Sequence, residues 1–246
     1  MPGTPFVGGA SDGVSGTAAM HLESGTMSKK GANIFSADGT IIVMGAELTC
    51  NSSSELRTTL ASRILPRGAR VHVGRSGEAG RLVPLGGVEK IPAPDRSDRV
   101  RSWVHLEGRV ATRPGAALRG HSVAASDIGY VLLLPTAAGA SGTASNATRF
   151  VAIEQMNKTG SWSAIGTARG NITRPVFEIG WSHGPCVCNG AMDSTFAYAI
   201  FPAAPLASMP SLANTLAGKQ VLVNTADVQA VLDAGKAEQT LHAVFW

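Results

Sequence analysis

From Phe196 to Phe201 the chain is apolar at every position. Side chains alternate along an extended strand, so Phe196, Tyr198 and Ile200 fall on one face and Ala197, Ala199 and Phe201 on the other. An antiparallel sheet with one wet face would carry a polar residue at every second position. This strand instead needs cover above and below. Pro202 ends it, because proline cannot donate to the ladder. Gly129 to Pro135, GYVLLLP, is a second run of the same kind and belongs beside the first in the interior. Together they predict an all-β chain with these strands inside a stack of sheets.

The composition agrees with many short strands. Of 246 residues, 44% are apolar and only 15% charged, with 29 glycines and 13 prolines, which suits a turn-rich globular chain. The length permits one large β domain or two small ones. The formal charge of +4 comes from basic residues scattered between Arg57 and Arg119. They form no run and do not interleave with aromatics, so no nucleic-acid partner is expected. No segment approaches the ~18 consecutive apolar residues of a membrane helix, and MPGTPFVGGASDG lacks the basic and apolar regions of a secretion signal. No membrane partner is expected either. Three cysteines, Cys50, Cys186 and Cys188, cannot all pair internally, which argues against a disulfide framework.

Taken in order, the glycines between Phe6 and Met20 allow tight turns, and a small-residue strand is expected from Ser15 to Leu22. Asp38-Gly39 between apolar runs predicts a hairpin, with a bulge at Gly45 in the returning strand Thr40 to Leu48. Glu55 to Leu65 reads as a strand, with a helix as the alternative. Short strands follow around Val71 to Val73, Leu82 to Leu85 and Trp103 to Leu106; Pro92, Pro94 and DRSDR read as exposed loop. Gly108 to Ser126 and Thr136 to Thr148 read as loops. Strands are expected after Phe150 and again from Gly160 to Ile165, separated by a turn at Asn157 to Gly160. Leu212 to Leu216 predicts one helical turn, and Val221 to Val223, Asp227 to Leu232 and Thr240 to Trp246 the last strands.

The order of these segments resembles the central domain of family 8 polysaccharide lyases, the hyaluronate, chondroitin and xanthan lyases. Gly16 to Met20, Met27 to Lys30 with Ile34-Phe35, and Ile42 to Leu48 are similar to its opening pieces. Thr58 to Arg63, Gly160 to Ile165, His183-Gly184, Phe196 to Pro202, Asn224 to Val231 and the terminal Phe245-Trp246 follow collinearly. The resemblance spans almost all of residues 1–246 and implies one domain, a super-sandwich of the galactose mutarotase-like kind. It implies β-elimination on a uronic-acid polysaccharide, glycosaminoglycan-like or xanthan-like, and an extracellular setting. In the family the Asn, His and Tyr that perform the chemistry, with a helping Arg, sit on a helical toroid. That toroid precedes the region matched here, so this chain is expected to be inactive alone.

The residues agree with that expectation. Tyr130 and Tyr198, the only tyrosines, lie within apolar runs, so no catalytic residue is assigned. The candidates for binding are His183, Trp162 and Trp181. His183 reads first as a loop histidine fixing the turn before a buried strand; the two tryptophans could stack on sugar rings, although at strand positions core packing is the first expectation. His105 reads as a structural surface residue. Cys186-Val187-Cys188 lacks the usual two-residue spacer and has no second ligand pair nearby, so neither a metal site nor a cofactor is expected. A free-standing carbohydrate-binding module and a mutarotase-like epimerase remain as alternatives. The epimerase would need a histidine and carboxylate pair in a cleft.

Overall fold

The computed structural model describes residues 6–24, 27–50, 54–65, 68–92, 100–108, 127–133, 150–185, 194–234 and 239–246. The strands are β1 (Phe6–Ser11), β2 (Gly16–Ser24), β3 (Met27–Phe35), β4 (Ile41–Cys50), β5 (Glu55–Ile64), β6 (Arg70–Arg75), β7 (Arg81–Val83) and β8 (Val88–Pro92). Then come β9 (Ser102–Glu107), β10 (Ile128–Leu133), β11 (Phe150–Ser161), β12 (Asn171–Pro185), β13 (Ser194–Pro202), helix α1 (Met209–Thr215), β14 (Lys219–Asn224), β15 (Val228–Asp233) and β16 (Thr240–Phe245). All described pairings are antiparallel.

Three sheets are stacked. A nine-stranded sheet, β1-β2-β3-β4-β13-β10-β9-β6-β7, forms the middle layer; β5-β12-β11-β8 covers one face, and β14-β15-β16 with α1 covers the other. The two-sided strands sit side by side at its centre: Tyr130 pairs with Ile200 and Leu132 with Tyr198. Their side chains divide as the alternation requires. Phe196, Tyr198, Tyr130 and Leu132 enter the core under the four-stranded sheet, and Ala197, Ala199, Phe201, Val131 and Leu133 enter the other. The third layer is tied down by buried amides. Asn224 Nδ2 donates to the Phe196 and Gly45 carbonyls at 3.0 and 3.3 Å, and Gln229 Nε2 donates to Asn224 Oδ1 at 2.7 Å.

Local chemistry explains most elements. The expected hairpin joins β3 to β4, with Gly39 at φ 84° and Asp38 Oδ1 accepting the Thr40 amide at 2.9 Å. Glu55 to Ile64 is a strand rather than a helix. Four expectations are corrected. The bulge in β4 lies not at Gly45 but near Glu47, whose φ is 52° and where the pairing with β3 and β13 shifts register. Gly45 is glycine for another reason: a Cβ there would fall inside the Phe196 ring. Pro92, expected in an exposed loop, instead ends the edge strand β8, where a terminal proline is tolerated because one side is unpaired; Pro94 and DRSDR lie outside the described residues. The turn at Asn157 to Gly160 does not form. β11 runs unbroken to Ser161, because residue after residue pairs with β12, including Thr159 and Thr173, whose hydroxyls lie 2.7 Å apart. Lastly, residues 162–164, expected in a strand, make a 3-10 turn. The expected loops at 109–126 and 136–148 lie outside the described residues.

His105 is structural, but it is fully buried rather than on the surface. Its Nε2–H donates to the Ala204 carbonyl at 2.8 Å, and burial pushes its pKa down. His72, Glu107 and Asp127 are the titratable groups that face it. A histidine whose folded pKa lies below its unfolded value stabilises the fold above the unfolded value, near 6.5, and this contribution is lost as pH falls through the folded value. Stability followed by urea titration should therefore fall as pH drops below about 6.5. In His105→Gln, which keeps a donor but does not titrate, the slope should be shallower. Equal slopes in the two proteins would refute the assignment.

Candidate functional site

The end of β12 is where the chain gathers aromatic and polar side chains. Phe177, Ile179, Trp181 and His183 follow one another on the inward face, but the pairing with β5 shifts between Ser182 and Gly184, and Gly184 has φ 88°. Such an irregularity re-aims a side chain. His183 is thus neither in a loop nor at the surface; it lies in a strand, 2% exposed. Its Nε2 shares a 2.9 Å hydrogen bond with Thr58 Oγ1, and its ring stacks on Trp181 at 6.3 Å with 10° between planes. Both rings pack against Phe196, at 5.9 Å for His183 and 6.4 Å for Trp181. Phe196 in turn stacks on Tyr198 at 6.2 Å.

On this side of the middle sheet Lys29 completes the cluster. Its Nζ lies 5.1 Å from the centre of the Phe196 ring, and burial pushes its pKa down. Sequence reasoning noticed Lys29-Lys30 only as part of a resemblance. The available signal was alternation: two adjacent lysines in a strand must face opposite layers, so each needs its own partner. Thr58 carried no comparable signal, because its role depends on a strand more than a hundred residues away in sequence.

The three sequence-based candidates do not converge. Trp181 is core, as expected. Trp162 is not: it is 46% exposed, in the turn joining β11 to β12. His183 and Trp162 sit at opposite ends of the paired strands, roughly 40 Å apart at ~3.4 Å per residue. Cys186 and Cys188 lie outside the described residues, and Cys50 is disulfide-bonded, which the argument against a disulfide framework does not forbid. Among the described residues, no group of three or more His, Cys, Asp or Glu could hold a metal ion.

General acid–base chemistry needs accessible groups that titrate within reach of neutral pH. Tyr130 and Tyr198 are buried, and burial pushes both phenols up, Tyr198 to about 12. Two histidine and carboxylate pairs do form, His21 with Glu23 at 3.3 Å and His72 with Glu107 at 3.5 Å. Neither lines the groove of about 620 Å³ between β1–β2 and the edge of β16. That groove is a poor site for an acidic ligand. Its lining includes Phe6, Thr17, Leu241, His242 and Phe245 but no lysine or arginine, and its carboxylate, Asp12, already accepts from Val14 and Ser15.

Stacked antiparallel sheets with this connectivity agree with what the sequence resembles. The pattern described as polysaccharide lyase family 8, super-sandwich domain, matches residues 2–213. The chain belongs to that family. No curated protein matched the sequence. Among solved structures, this family 8 domain is similar to Paenibacillus xanthan lyase, at TM-score 0.71 and 21% identity over 98% of this chain and 20% of that one. It is also similar to a chondroitinase AC lyase solved with oligosaccharides, at 0.67 and 21% over 98% and 28%. A third is the Streptomyces coelicolor A3 chondroitin AC lyase in complex with chondroitin sulphate, at 0.63 and 20% over 100% and 25%. At such identities the likeness is one of fold. The chain spans between about a fifth and three tenths of the length of these lyases.

Proposed function

We propose that this family 8 domain is the sandwich part of a polysaccharide lyase that acts by β-elimination on uronic-acid-containing polysaccharides. In this reading it forms one wall of the glycan cleft, and on its own it binds without cleaving. The observation that carries the reading is the family match over residues 2–213, joined to the burial of both tyrosines. Elimination removes the proton α to a carboxylate, stabilises the charge that develops and protonates the leaving oxygen. A phenol held near 12 inside a core does neither proton transfer at neutral pH. The named activities of the neighbours, on chondroitin and xanthan, support an acidic polysaccharide as the partner. The disulfide at Cys50 supports an extracellular setting, since such bonds persist in oxidising compartments.

The test incubates the chain with chondroitin sulphate and with xanthan and follows two signals. One is ultraviolet absorbance of the unsaturated uronate that elimination creates; the other is binding by calorimetry. Binding without new absorbance is the expected result. Steady growth of absorbance would overturn inactivity in isolation, and absence of binding to both polymers would overturn the glycan-binding role. Interconversion of the anomers of a free hexose would favour the epimerase reading instead.

A further inference from the structure

The layers of the sandwich do not have equal width. The core under the four-stranded sheet takes side chains from β4, β6, β7, β9, β10 and β13, and none from β1, β2 or β3. Those three strands therefore extend beyond their cover as a shelf. On its open side lie Val7, Met20, Leu22 and Phe35, all exposed, with Asn33 and Lys29 half-buried among them. By strand alternation Lys29 is the only charged side chain that the described part of β1–β3 presents on this side. It stands at the inner end of the shelf, where Phe196 leads into the Trp181, His183 and Thr58 cluster.

The part-buried ammonium groups elsewhere show what is unusual about Lys29. Lys30, on the opposite face, reaches Glu47 at 2.7 Å and the Ala226 carbonyl at 3.0 Å. Lys219, almost fully buried, is held by Asp38 and by Asp233. Among the described residues Lys29 has no carboxylate and no hydrogen-bond acceptor, only the face of Phe196. A cation over an aromatic ring recovers part of the hydration that burial removes, but it leaves the ammonium protons without acceptors. An anion arriving from solvent would supply them.

We infer that the shelf of β1–β3 is a subsite for the anionic group of an acidic sugar, with Lys29 as its counter-ion. The inference rests on the reading of the domain as a glycan-binding wall, and adds where and through which charge it binds. Met20, Leu22 and Phe35 give the apolar surface on which a sugar ring lies, the Asn33 amide can bond a hydroxyl, and the Lys29 ammonium takes the carboxylate or sulphate. Nearness to Phe196 makes the ammonium a better partner than an exposed lysine, because its charge is less screened.

Calorimetry with chondroitin sulphate, desulphated chondroitin and neutral dextran, on the unaltered chain and on Lys29→Met and Lys29→Arg, tests this. Lys29→Met is expected to weaken binding to chondroitin sulphate about tenfold or more, the scale of one charged hydrogen bond. Lys29→Arg should retain it, and dextran should not bind. If desulphated chondroitin shows the same loss, the carboxylate is the group held; if only the sulphated polymer does, the sulphate is. A second measurement on the unaltered chain needs no variant: acetylation of Lys29, read by peptide mass spectrometry, should slow at least severalfold when chondroitin sulphate is present, while acetylation of Lys158 does not. Equal affinity of the unaltered chain and Lys29→Met, or unprotected Lys29 in the complex, overturns the subsite and leaves the binding role standing. No binding by the unaltered chain overturns both.

Discussion

Phe196→Ala is expected to lower stability by about 3–5 kcal/mol, the cost of emptying a large buried site that cannot collapse. The ring is 1% exposed and packs between Trp181, His183 and Tyr198 on one side and the backbone of Gly45 on the other. None of these neighbours can follow a missing ring. Trp181 and His183 are fixed on β12, Tyr198 belongs to the same strand, and Gly45 is clamped in the adjoining ladder. Urea titration with the midpoint and slope both recorded measures the change. A loss under about 1 kcal/mol would show that the gap closes and that β13 is not the centre of the fold. The pair Gly45 and Phe196 offers an internal control. Gly45→Ala should cost about 1–3 kcal/mol by overpacking in the unaltered chain, and much less in the Phe196→Ala background, where the added methyl finds the vacated space. Independent costs would mean that the ring and the glycine are not complementary.

That packing shows how far a sequence alone can lead. The apolar runs 129–135 and 196–201 disclose the stacking of sheets, because only a strand covered twice can lack polar residues at alternate positions. The hairpin at Asp38-Gly39 is legible for a local reason, the freedom of glycine to take positive φ. What local chemistry cannot reveal is what a glycine lies beneath. Gly45 reads as a bulge until Phe196, from a strand far along the chain, is laid over it. The same limit hides the end of β8, whose Pro92 is read as loop until β11 supplies a partner, and it makes Asn157 to Gly160 look like a turn although β12 holds it extended.

The candidate site is less legible than the fold for the same reason. His183 and Trp181 are visible as residue types, and their stacking follows from adjacency on one strand face. Thr58 and Lys29 join them only through tertiary pairing. Trp162 misleads in the opposite sense: a strand-like neighbourhood suggests core, yet the chain turns there and leaves the ring half in water. The piece from Asn224 to Val231 is also explained by packing, since Asn224 and Gln229 form the buried amide link between layers. Its resemblance to the family reports on how the sandwich is held together, not on chemistry.

If the two cores are held by separate packing, Trp103→Ala should cost about as much as Phe196→Ala, roughly 3–5 kcal/mol, and for a different set of contacts. Trp103 is fully buried on the opposite face of the middle sheet, and its Nε1–H donates to the Arg75 carbonyl at 2.9 Å. Gly74 and Gly80 leave its ring space that any side chain would fill. Its strand, β9, is separated from β13 by β10, so the two aromatic residues lie more than about 9 Å apart across the sheet, at ~4.8 Å per strand. Distant sites without shared partners are additive within about 0.5 kcal/mol. The double variant should then lose the sum of the two single losses, a large part of the ~5–15 kcal/mol that folds an ordinary domain. Additivity would mean that each covering layer can be altered without loosening its opposite. A coupling above about 1 kcal/mol would mean that the sheet passes strain between its faces, and a change at Phe196 beside Lys29 would then be felt under α1.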